Sequence, residues 1–133
     1  MRTQFSKWLP PLLVMLVIFW FSAQLAPDLL VFGWVDWIIK KGGHMIGYAI
    51  LALSYWRALD FKADRRSIAW LLAVLFAVTD EFHQAFVPGR HPSIWDVLIF
   101  DNFGALIALR LADHYRKVKR PGSVRPAVEE VNR

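Results

Sequence analysis

Four long apolar runs leave this chain few ways to fold. Residues 9–25, 43–56, 68–86 and 94–112 are each near the length a helix rising about 1.5 Å per residue needs to cross hydrocarbon roughly 30 Å thick, the second being the shortest. A water-soluble four-helix bundle would bring a polar residue to one face every three or four positions, yet 12–21 and 68–78 contain none. Hydrophobic residues make up 56% of the 133 positions and aromatic residues 15%, too apolar for an ordinary soluble domain. The expected fold class is therefore all-α: a polytopic membrane protein, a bundle of four transmembrane helices with a short interfacial helix between the first two. One transmembrane domain is expected over 1–113, followed by a basic cytoplasmic tail without fixed structure over 114–133.

Charge sets the orientation. The net charge of +5 would suggest nucleic acid in a soluble protein, but 13 of the 16 basic residues fall on one side of the four runs: before the first, between the second and third, or at the end of the fourth and beyond. Only Lys40, Lys41 and Arg90 fall in the other two connections. The positive-inside bias then places both termini in the cytoplasm, and nucleic acid is not needed to explain the charge. Trp8, Trp56 and Trp70 mark the inner ends, and Trp34, Trp37 and Trp95 the outer ends, where amphipathic rings favour the headgroup region. The start of the chain has the basic and apolar parts of a signal peptide without a small-x-small cleavage site, and it reads as an uncleaved first helix. With no cysteine, disulfides, thiol nucleophiles and cysteine metal sites are excluded.

Several local features refine this plan. Pro27-Asp28 reads as the start of a helix lying in the outer interface, and Gly42-Gly43 as a break before the second span. Ser93 followed by Asp96 reads as a capping box opening the fourth span. Arg116 to Arg120 in the tail suit anionic lipid headgroups.

The charges within the apolar runs carry the functional signal. A carboxylate in hydrocarbon costs several kcal/mol unless paired, hydrated or neutralised, so Asp80 and Glu81 demand a purpose. Counted along their helices, Asp80 and Glu81 lie about 20 Å from the inner surface, and Asp101 and Asn102 about 12 to 14 Å from the outer one, so the polar levels nearly coincide. Lys41, His44 and Tyr48 share one helical face, and Gln84 shares a face with either acid. Together with Arg90 and Asp96 from the outer turn, these residues can meet in one outer-leaflet cleft. Each also has a plainer reading: Asp96 as a cap, Lys41 as a snorkelling interface residue, His44 and Tyr48 as interhelical hydrogen-bonding groups, and Arg90 as a neutraliser of Asp80 or Glu81.

The patterns Lys41-x-x-His44-x-x-x-Tyr48, Asp80-Glu81-x-x-Gln84-x-Phe86-Val87-Pro88-Gly89-Arg90, and Ser93-x-x-Asp96 with Gly104 resemble the VanZ-like membrane proteins, named after a teicoplanin-resistance protein. The resemblance covers about residues 9–112 and implies a small multi-pass bacterial inner-membrane protein, linked in some members to glycopeptide resistance. Phe100 stands where the resemblance leads one to expect Asn or Asp, so Asp101 and Asn102 are not carried over.

The leading expectation is a pocket that binds a membrane lipid or lipid-linked cell-envelope precursor. Lys41 and Arg90 suit a phosphate, while Tyr48, Gln84 and Asp96 complete the substrate-binding set. If the pocket performs chemistry, His44 is the base, with Asp80 or Glu81 as the partner acid. No HExxH-like spacing points to a metal, and no cofactor is identified. The alternatives are a proton-coupled small transporter using Asp80 and Glu81, or a non-catalytic membrane scaffold.

Overall fold

The computed structural model describes residues 4–24 and 33–119. Four helices make up its architecture: α1 (Gln4–Ser22), α2 (Gly33–Ala58), α3 (Arg66–Gln84) and α4 (Asn102–Lys119). A single 3-10 turn, Ala63–Arg65, leads into α3, and a π-helical segment, Asp96–Asp101, leads into α4. Among the described residues there is no strand.

Helix α2 is the hub, packed against α1, α3 and α4. Its inward face supplies Tyr48, Leu51, Ala52, Tyr55 and Trp56 to the core. Small residues let the neighbours approach: Ala69, Ala73 and Ala77 form a buried stripe at four-residue spacing along α3. On α4, a Cβ at Gly104 would lie 2.1 Å from the carbonyl oxygen of Met45, so only glycine permits this crossing of α2 and α4. Large apolar side chains instead face outward on every helix, including Leu16 and Trp20 of α1, Ile46 and Ile50 of α2, Leu75 and Phe82 of α3, and Phe103 and Leu111 of α4. Exposed apolar surface of this extent exceeds the scattered residues common on soluble proteins. By length and composition alone, one described helix, Gln4–Ser22, is apolar enough to cross a membrane. On α3 the acids Asp80 and Glu81 turn inward.

At one end, Lys7 bonds both oxygens of Asp60, at 2.7 and 2.9 Å, clamping α1 to the turn after α2. Asp60 and Phe61 adopt left-handed backbone angles, φ 60° and 54°, which non-glycine residues rarely do. The Phe61 amide donates to the Trp56 carbonyl at 2.9 Å, the Trp56 indole to the Lys62 carbonyl at 2.9 Å, and the Arg116 guanidinium lies 4.1 Å from the Phe61 ring. Lys7 holds the Asp60 carboxyl below its ordinary 3.8. That contribution is complete above the ordinary value and lost as the pH falls through the depressed one, so the clamp is intact throughout the neutral range.

Three local expectations change. Helix α2 runs unbroken through Gly42-Gly43, so Trp34, Ile38 and Ile39 begin the second helix and do not form a separate interfacial one. Two glycines cost only about 1 kcal/mol each in a helix interior, too little to interrupt a segment anchored on both sides by packing. The proposed start at Pro27-Asp28 lies outside the described residues. Helix α4 continues to Lys119, through 114–119 of the segment assigned to the tail, because its last turn is held by Arg116 on Phe61 and by Lys117 bonding Asp113 at 2.9 Å. Tail residues 120–133, including Arg120, lie outside the described residues. Finally, the side chains of Ser93 and Asp96 make no capping box: Asp96 pairs with Lys41, and the Ser93 amide donates to Glu81 of α3.

Replacing Gly104 with Ala is expected to destabilise the bundle by about 1–3 kcal/mol through overpacking against the Met45 backbone. Gly42→Ala meets open space and should be neutral or slightly stabilising. Thermal unfolding of both variants in detergent checks the contrast, and equal midpoints would remove the close-crossing argument.

Candidate functional site

The alanine stripe of α3 leads directly into the polar cluster. Positions 69, 73 and 77 face the core, and continuing the same face by three, four and seven residues reaches Asp80, Glu81 and Gln84, all buried. Adjacent acids diverge by about 100° on a helix, and the fold uses that divergence. Asp80 points toward α1 and α2, whereas Glu81 accepts from the Ser93 amide in the loop before α4.

Asp80 is the focus of the first group. Its Oδ2 accepts from Ser22 of α1 at 2.6 Å, Gln84 of α3 at 3.2 Å and Tyr48 of α2 at 3.3 Å. Gln84 also donates to the Ser22 hydroxyl at 3.3 Å. Oδ1 of Asp80 is buried without a partner among the described residues. Three helices thus converge on one carboxylate with no ion pair to a cation among the described residues.

A second group joins α2 to the start of the last helix. Lys41 pairs with Asp96 and lies 5.4 Å from the Phe100 ring centre. One turn further along α2, His44 Nδ1 stands 3.4 Å from Asp101 Oδ1, an ion-pair separation without the alignment of a good hydrogen bond, and neither atom has another described partner. The π-helical segment makes this pairing possible. In an α-helix, residues five apart diverge by about 140°, but i→i+5 bonding returns Asp101 to the side of Asp96, so both face α2.

Between α1 and α2 opens a cleft of about 450 Å³ with walls that include Val17, Ile18, Phe21 and Ile46. Ser22, Lys40, His44, Tyr48 and Arg90 supply its polar lining. Its chemistry is amphiphilic: hydrocarbon surface along the helices, with two cations, a hydroxyl, a phenol and an imidazole at one end. With Nδ1 turned to Asp101, Nε2 is the His44 nitrogen left for a ligand.

The residues expected from sequence separate into three roles. His44 and Tyr48 line the cleft, and Asp80 and Gln84 stand behind Ser22 and Tyr48. Glu81, Lys41 and Asp96 are engaged in joining α2, α3 and the loop before α4, away from the cleft lining. Arg90 neutralises neither Asp80 nor Glu81: it donates to the carbonyls of Phe21 at 2.8 Å and Gln24 at 3.2 Å, capping the end of α1, while still bordering the cleft. His83 stacks on Phe19 at 4.2 Å, on the α1 side of α3. Among the described residues, no group of three or more His, Cys, Asp or Glu is placed to hold a metal ion.

One site residue, Lys40, escaped the sequence reading, and two others, Ser22 and Asp101, found no partner in it. Ser22 was legible as a polar residue at the right depth of the first helix, but nothing signalled that it would bond Asp80. Lys40 takes the cleft position expected of Lys41, because the interior side of α2 at that level is occupied by Asp96. Asp101 was placed at the right depth by counting, but the π-helical change of register hid that it would face His44.

The comparisons with known proteins bear on this constellation. A family model described as VanZ/LLP1 matches residues 3–115, which contain every residue of the cleft and of the groups behind it. The chain belongs to the VanZ/LLP1 family. No curated protein matches it, and no solved structure does. In this VanZ/LLP1 chain Lys41, Tyr48, Asp80, Glu81, Gln84, Ser93 and Asp96 of the earlier resemblance fall into separate interhelical groups at one end of the bundle, while Gly104 carries the crossing of α2 and α4.

Asp80→Ala is expected to lower stability by at least about 2 kcal/mol, because buried donors on Ser22, Tyr48 and Gln84 lose their common acceptor. Asp80→Asn retains an acceptor oxygen and should cost less. Unfolding of both variants measured side by side tests this order, and an Ala variant as stable as the parent would show that the network does not hold the helices.

Proposed function

We propose that the chain is a multi-pass inner-membrane protein, with both termini cytoplasmic, whose outer-leaflet cleft binds a lipid or lipid-linked cell-envelope precursor. The observation that carries this reading is the cleft between α1 and α2, which joins an apolar wall to a polar end containing Lys40, His44 and Arg90. An amphiphile satisfies both halves at once: its hydrocarbon meets Val17, Ile18 and Ile46, and a phosphate-bearing head meets the cations. Membrane insertion is supported by the outward-facing large apolar residues on all four helices. The orientation follows from the excess of basic residues at the end opposite the cleft.

His44 backed by Asp101 is the group suited to accept a proton from a bound head, with Asp80 reaching the same end of the cleft through Tyr48 and Ser22. Through the family, the link is to glycopeptide resistance: retention or alteration of an envelope precursor would change what such an antibiotic finds at the cell surface.

Three measurements test this. Because the chain lacks cysteine, single substitutions report topology cleanly. His91→Cys should react with a membrane-impermeant maleimide in intact cells, and Asp64→Cys only after permeabilisation; the reverse pattern would invert the orientation. Gently extracted parent protein should retain a lipid in native mass spectrometry, and Lys40→Gln should retain roughly fivefold less, as expected for the loss of one cation near an anionic head. His44→Ala should abolish any effect of expression on teicoplanin susceptibility while leaving membrane insertion intact. Unchanged lipid retention and susceptibility in these two variants would favour a scaffold over a binding site.

A further inference from the structure

The basic end of the bundle has a second concavity, of about 230 Å³, between α3 and α4. Arg66 and Arg110 line it together with Ser67, and Trp70 and Leu109 supply apolar surface. It lies roughly 20 Å along α3 from Asp80, so it is separate from the cleft between α1 and α2.

We infer that this concavity is a binding site for a phosphate-bearing anionic headgroup of the cytoplasmic leaflet. Its parts are preset. The Trp70 indole donates to Asn102 at 2.7 Å, which fixes the ring as a wall. Arg66 is held by Asp113, whose carboxylate Lys117 also bonds at 2.9 Å. Arg110 makes no ion pair or hydrogen bond with a described residue, so its fork of donors is available. Arg66, Arg110 and Lys117 against Asp113 leave a local excess of two positive charges, which an anion would complement. Paired guanidinium groups favour phosphate oxygens, and the Trp70 and Leu109 surface suits the glycerol and first methylenes behind such a head. Basic pockets between helices on the cytoplasmic side are a recurring way of holding anionic lipid. The site rests on the membrane reading but not on the cleft between α1 and α2.

The test uses the full chain in phosphatidylcholine vesicles containing a trace of phosphatidylglycerol with a photoreactive group next to its head. Cross-links should map to 63–70 and 106–110, and unlabelled phosphatidylglycerol, not phosphatidylcholine, should compete. Arg110→Gln should reduce labelling about fivefold, with Arg110→Lys retaining most of it. Arg110 is exposed and unpaired among the described residues, so neither change should disturb folding. Competition by millimolar inorganic phosphate would keep the anion site but assign it to free phosphate. Equal labelling of Arg110→Gln, or label spread evenly over the helices, would overturn it. Lys40→Gln should leave this labelling unchanged, so loss of the cleft site reads separately. Protein that fails to float with the vesicles would remove the membrane reading and this site together.

Discussion

Ser22, Tyr48 and Gln84 all donate to one oxygen of Asp80, and the arrangement of α1, α2 and α3 follows from that shared acceptor. A carboxylate removed from water needs its donors in place, because each buried polar group left unsatisfied costs about 1–3 kcal/mol. Nonspecific apolar packing would let these helices rotate or slide against one another, whereas three donors aimed at one atom set rotation and height together. Lys41 with Asp96, and Glu81 with the Ser93 amide, extend the same control to the start of the last helix. Small residues elsewhere make it possible, since Ala69, Ala73, Ala77 and Gly104 bring the backbones close enough for these side chains to meet.

The two ends of the bundle solve different problems. At the cleft end, polar groups are turned inward and meet across helices, Asp80 with Ser22 and Tyr48, Lys41 with Asp96, and Glu81 with the Ser93 amide. At the basic end they lie around the rim, where Lys7, Arg66 and Arg116 fasten the termini of α1, α3 and α4 through charge and ring contacts. Such a division concentrates geometric precision at one level of the molecule and leaves the opposite level to charge.

Helix content and the location of the polar cluster were legible in the sequence because long apolar runs and misplaced charges are strong signals. The spacing of Lys41, His44 and Tyr48 named one face of α2, and that face meets Asp96, Asp101 and Asp80 in turn. Partner choice was less legible. Arg90 had two acids nearby in sequence yet serves the end of α1, where the last carbonyls of a helix are open to side-chain donors and those of Phe21 and Gln24 accept from its guanidinium. The glycine pair at 42–43 looked like a break by composition, but neither residue adopts a turn. Asp101 was unreadable on a wheel of fixed 3.6-residue period, since the backbone abandons that period where the residue lies.

That local departure from the ordinary helical repeat has a further consequence. Were the segment to wind as a regular α-helix at its present length, Asp101 would swing about 140° from Asp96, leaving either Lys41 or His44 facing the wrong neighbour. The winding of the backbone across those six positions is therefore as much a part of the site's chemistry as the side chains at its two ends.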